Sequence, residues 1–135
     1  MHPRFAESYV ERLFEQKDLL GLHQLISTLE RDRELPKQCW LFCRLLEWEG
    51  SCRLGIWQYY EGTQQEEFEK IGRALDDAGL KELAHKYRYG MTAWKNDDIA
   101  SALDKWIDSN QEFISAQLMC LLVSCREVLK KAAAN

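Results

Sequence analysis

Apolar residues recur every three or four positions along most of this chain, which is the spacing of one face of an α-helix. In "FAESYVERLFEQ", Phe5, Tyr9 and Leu13 are four apart, and the run from Leu19 to Leu29 keeps a similar rhythm. The alternation that is typical of strands is absent from the sequence. The pattern predicts an all-α fold, a single compact bundle of about six to eight helices that forms one domain over residues 1–135.

One predicted helix, near residues 36–49, is apolar nearly all the way round. The segment "CWLFCRLLEWE" leaves almost no polar face, and Pro36 suits the first turn of the helix. A helix of this kind is usually buried among others. We therefore expect it to be the central helix of the bundle.

Helix ends are marked by capping residues and by glycine. Asp18 and either Asn96 or Asp97 suit the position before a helix, and "TQQE" and "SNQE" have the spacing of a capping box. Gly79 suits the end of a helix that begins near Thr63. After "SNQE", apolar residues at three- and four-residue steps predict one last helix that continues to Val128.

Size and charge narrow the class of protein. The 135 residues, of which 46% are hydrophobic and 30% charged, match one globular domain. A net charge of −4 argues against direct nucleic-acid binding, which needs a basic face. The start "MHPRFAESYV" has no apolar signal segment, and no apolar run is long enough for a membrane span. We expect a cytoplasmic protein with reduced cysteines.

No residues point to catalysis, a cofactor or a metal. His2, His23 and His85 are far apart and lie beside no nucleophile motif, and no phosphate-binding or dinucleotide-binding motif is present. Cys39 and Cys43 share a helix face and could hold a metal, but zinc ligands are usually closer together in loops. We therefore expect a protein that is not an enzyme, with these thiols in the core.

Acidic residues concentrate in the second half of the chain. Residues 61–112 contain twelve acidic and seven basic side chains, a balance of −5, whereas the rest contains ten and eleven, a balance of +1. One interpretation is solvated helix faces. The other is a contact surface for a basic protein, for which the candidate residues are Glu61, Glu66, Glu67, Glu69, Asp76, Asp77, Asp97, Asp98, Asp104 and Asp108.

The order of features between residues 35 and 94 resembles the DMP19-like (DNA-mimic protein) family of helical domains. That family has an apolar aromatic helix, then an Asn-Gly-Gly-Phe-x-Gln-Tyr-Phe-x-Asn motif, then Ala-Leu-x-x-Ile-Gly-Ala. Here "CWLFCRLLEWE", "GIWQYYEG" and "ALDDAGL" are similar to these elements in turn. The family-motif positions, which we expect to be structural, are Gly55, Ile56, Gln58, Tyr59 and Tyr60.

The resemblance implies a function as well as a fold. The family's name comes from an acidic dimer that occupies the DNA-binding surface of a transcription factor. Our leading hypothesis is a non-enzymatic protein-binding domain with an acidic contact surface, in a narrower form a DNA-mimic-like inhibitor or regulator of a basic nucleic-acid-binding protein.

Two alternatives stay open. The first is a small-ligand-binding protein or enzyme that uses the corner of Trp57, Tyr59 and Tyr60 as a pocket wall, with Gln58 and Arg44 as polar groups. The second is self-assembly, such as a homodimer formed through apolar surface on the carboxyl-terminal helix.

Overall fold

The computed structural model describes residues 4–135, so His2 and the first three residues of "MHPRFAESYV" lie outside the described part. Within 4–135 the chain forms nine α-helices, one 3₁₀ turn at Ser51–Arg53, and no strand. The helices are α1 Glu7–Glu15, α2 Leu19–Leu29, α3 Lys37–Gly50, α4 Ile56–Glu61, α5 Gln65–Asp77, α6 Lys81–Ala93, α7 Asp97–Ser109, α8 Gln111–Val123 and α9 Arg126–Ala134.

The all-α prediction is confirmed, with more helices in residues 4–135 than the six to eight expected. One addition is α4, a helix of six residues formed by the aromatic stretch. The other arises because the predicted last helix stops at Val123 and restarts at Arg126, with Cys125 at φ −103° and ψ 0° between them.

Two of the predicted helix caps are confirmed by hydrogen bonds. An Asp18 carboxylate oxygen accepts the backbone N–H of Gly21 at 2.9 Å. The Asn96 side chain accepts the N–H groups of Asp98 and Ile99 at 3.0 and 3.2 Å. Each bond satisfies a donor that the first helical turn leaves without a partner.

The two predicted capping boxes are wrong. Thr63 is not the cap of α5, because its hydroxyl donates to the Tyr59 carbonyl at 2.6 Å and so belongs to the end of α4. Gln64 occupies the capping position and its side chain makes no capping bond. Ser109 is the last residue of α7 and does not open α8. A short polar residue between two helices can serve the preceding helix as well as the next one.

The chain divides into two compact units, which we call the terminal unit and the middle unit. The terminal unit comprises the residues up to Leu46 together with Leu118–Asn135, and the middle unit is Glu47–Gln117. The boundaries fall inside α3 and α8. The single domain over residues 1–135 stays a prediction.

In the terminal unit, α1 packs against α2 and α9. The Glu11 carboxylate of α1 pairs with Arg126, and also with Lys130 at 2.5 Å, on α9. Lys130 thus holds α9 against α1. The buried apolar side chains of this unit include Val10, Leu22, Ile26, Leu29, Phe42, Leu122 and Leu129.

In the middle unit, α6 packs against α4, α5 and α7, and α4 also packs against α7 and the 3₁₀ turn. The predicted apolar helix is observed as α3. Its buried side chains in the middle unit are Trp48 and Glu49, and those in the terminal unit are Cys39, Leu41, Phe42, Cys43 and Leu45. No helix within residues 4–135 is long and apolar enough to cross a membrane. The middle unit's buried side chains include Trp48, Ile56, Tyr60, Phe68, Ile71, Leu75, Leu83, Tyr87, Leu103 and Ile107.

Candidate protein-binding surface

The stretch "GIWQYYEG" forms α4 together with its two flanking glycines. Gly55 has φ +111°, a backbone conformation that other residues rarely adopt. The chain turns there so that the Ile56 N–H donates to the Asp104 carboxylate at 2.8 Å. Asp104 therefore caps the start of α4 from α7, a role that the sequence does not reveal because the two residues are 48 positions apart.

Tyr60 points into the core of the middle unit. It is almost fully buried, its hydroxyl accepts the indole N–H of Trp48 at 2.8 Å, and it donates to the Tyr87 carbonyl at 2.9 Å. The Tyr59 hydroxyl lies 2.7 Å from the Tyr87 hydroxyl. The Tyr60 ring also packs against Phe68 at a centroid distance of 5.6 Å. Each of these hydroxyls therefore has a hydrogen-bonding partner, which a buried phenol needs.

Burial raises the pKa of both Tyr60 and Tyr87 above the usual tyrosine value, and the hydrogen bond from Trp48 offsets part of this rise at Tyr60. At neutral pH both phenols are therefore protonated and act as hydrogen-bonding groups. Such groups stabilise a core, but they are poorly suited to exchange protons with a substrate.

Gly90 allows α6 to approach this ring. A Cβ atom at Gly90 would overlap the Cζ atom of Tyr60, far inside van der Waals contact. The face of Tyr60 toward α6 is therefore filled by backbone. Tyr59 and Tyr60 serve the packing of the middle unit, and of the three corner aromatics Trp57 is the one that is exposed.

The five positions that resemble the DMP19-like motif all help to organise this corner. Gln58 donates from its side chain to the Leu54 carbonyl at 3.0 Å, and Ile56 is fully buried. With the positive φ of Gly55 and the hydroxyl bonds of Tyr59 and Tyr60, each of the five positions has a structural role in the corner.

The ten predicted acidic residues all lie in the middle unit. Glu67 and Asp104 are half-buried. The other eight are exposed, and they are Glu61, Glu66, Glu69, Asp76, Asp77, Asp97, Asp98 and Asp108.

Some of these carboxylates are engaged within the protein. The two oxygens of Asp76 accept hydrogen bonds from Arg88 at 2.9 and 2.6 Å, and these bonds hold the pKa of Asp76 below its usual value. Glu69 pairs more loosely with Arg73 at 3.7 Å. Since both pairs are exposed, water and salt screen them.

The remaining acidic charge is distributed on three helices, α4, α5 and α7, which all pack against α6, and α4 carries the exposed Glu61. On α5, the exposed residues Glu66 and Glu69 lie opposite the buried Phe68 and Ile71. On α7, Asp97, Asp98 and Asp108 are exposed. Fourteen acidic and eight basic residues give the middle unit a formal charge of −6, whereas eight acidic and ten basic residues give the terminal unit +2.

The histidine and cysteine side chains of the described residues do not form a site. His85 is exposed on α6, and Cys39, Cys43 and Cys125 are buried in the terminal unit. Burial and the nearby Cys125 raise the pKa of the Cys39 thiol, which disfavours the thiolate that binds metals. Among residues 4–135, no group of three or more His, Cys, Asp or Glu side chains is arranged to hold a metal ion.

A depression of about 440 Å³ lies at the connection between α7 and α8. Its polar side chains include Asn110, which donates to the Trp106 carbonyl at 2.8 Å. The depression does not include the aromatic corner, because the residues that line it are Asp108, Ser109, Asn110, Gln111, Glu112 and Phe113.

Comparisons with protein-family models, curated proteins and solved structures found no match to this chain.

Proposed function

We propose that this protein is a non-enzymatic, cytoplasmic protein-binding domain, and that the acidic middle unit contacts a basic partner. The single observation that carries the proposal is the separation of charge: the middle unit has a balance of −6 and the terminal unit +2. Complementary charge of this kind speeds association and selects among partners.

The exposed acidic residues of α4 and α5 are the best candidates for the contact. Glu61, Glu66 and Glu69 are all exposed, and the pair of Glu69 with Arg73 is loose. Glu67 is half-buried, so it is less accessible to a partner than these three. Asp76 contributes less charge outward, because Arg88 neutralises it.

The resemblance to the DNA-mimic family supplies a narrower form of the proposal. In that form the partner is a basic nucleic-acid-binding protein, and the acidic surface of the middle unit takes the place of nucleic-acid phosphates as an inhibitor or regulator. Loss of binding on addition of a short duplex DNA would distinguish this form from an ordinary acidic interface. The pocket-wall alternative has less support, because Tyr59 and Tyr60 are occupied by core contacts.

The proposal can be tested by affinity capture from the native host, followed by mass spectrometry. The test variant reverses three acids of the middle unit, Glu61→Lys, Glu66→Lys and Glu69→Lys. We expect wild type to capture basic proteins at low salt and to release them at high salt. The variant should fail to capture these proteins even at low salt.

A matched variant controls for net charge. Glu7→Lys, Glu15→Lys and Glu34→Lys change the formal charge by the same amount, and all three residues are exposed in the terminal unit. Glu7 and Glu66 are each in the first turn of a helix, so the helix-dipole cost is also matched. If both variants lose the same proteins to the same extent, the middle unit is not the contact surface.

A further inference from the structure

We draw no further inference here: the strongest candidate, the depression of about 440 Å³ at the connection between α7 and α8, carries nothing because the Asp108 and Glu112 side chains that line it are exposed on the surface and no contact among residues 4–135 shows which ligand would fill it.

Discussion

The indole N–H of Trp48, on α3, donates a hydrogen bond of 2.8 Å to the hydroxyl of Tyr60, on α4, and both side chains are buried. The same hydroxyl donates to the Tyr87 carbonyl on α6. One phenol thus joins the last turn of α3 to α4 and α6. The bond explains why an aromatic corner follows the most apolar helix. Tyr60 of the corner packs in the same buried core as Trp48 of α3 and satisfies its N–H.

Replacing Tyr60 by phenylalanine should destabilise the protein by about 1–3 kcal/mol, because the Trp48 N–H loses its buried acceptor. Urea unfolding measures this difference. Tyr89→Phe is the control, since the Tyr89 side chain is exposed on α6, and it should change stability by less than about 0.5 kcal/mol. Equal stability of Tyr60→Phe and wild type would contradict the assigned hydrogen bonds.

Gly90→Ala should destabilise the protein by about 1–3 kcal/mol or more, because the added Cβ would overlap the Tyr60 ring. Gly50→Ala is the comparison. Gly50 ends α3 with φ −63° and no atom within 4 Å of an added Cβ, so alanine there should be neutral or stabilise by up to about 1 kcal/mol. Thermal unfolding of the two variants side by side checks the prediction, and a tolerated alanine at position 90 would rule out this packing.

Asp104→Ala should cost about 1–2 kcal/mol, because the Ile56 N–H at the start of α4 loses its acceptor. Asp104→Asn retains a side-chain oxygen and should cost less. Chemical denaturation gives both values, and amide hydrogen exchange at Ile56 locates the effect. Unchanged protection of the Ile56 amide in Asp104→Ala would show that the cap is absent.

Arg88 makes part of the stability depend on pH through Asp76. Its hydrogen bonds depress the folded-state pKa of the Asp76 carboxyl. The stability that this pair contributes is therefore present above the unfolded-state pKa and is lost as pH falls through the folded-state pKa. Arg88→Gln should therefore raise the Asp76 pKa toward its usual value and reduce stability at neutral pH more than in acid. NMR titration of the carboxyl measures the shift.

Arg73→Gln is the matched control for that titration. Arg73 is exposed on α5 and pairs with Glu69, so its loss should leave the Asp76 pKa in place. If Asp76 titrates at the same pH in wild type and in Arg88→Gln, the pair does not form in solution.

Much of the fold could be predicted because helix periodicity and caps are local signals. Asp18 and Asn96 cap the helices that the sequence assigns to them. The sequence does not signal the break at Cys125, since the apolar rhythm continues through it without glycine or proline. The sequence does not show which helix Thr63 serves, because a threonine that bonds the end of one helix looks the same as one that caps the next.

The candidate surface could be predicted only in part. The concentration of acid is visible from counting residues, but the engagement of Asp76 with Arg88 and of Asp104 with Ile56 depends on contacts 12 and 48 positions apart. The same limit applies to the corner. Local sequence groups Trp57 with Tyr59 and Tyr60, whereas the fold buries Tyr60 and leaves Trp57 exposed.

The most direct test of the central claim is the affinity of a captured basic partner, purified and measured against rising salt. Wild type should bind with an affinity that falls steeply with salt, and the reversal of Glu61, Glu66 and Glu69 to lysine should weaken binding at low salt by more than about tenfold. The matched reversal of Glu7, Glu15 and Glu34 should remain close to wild type. Equal weakening by the two reversals, or an affinity that does not change with salt, would contradict an acidic contact surface on the middle unit.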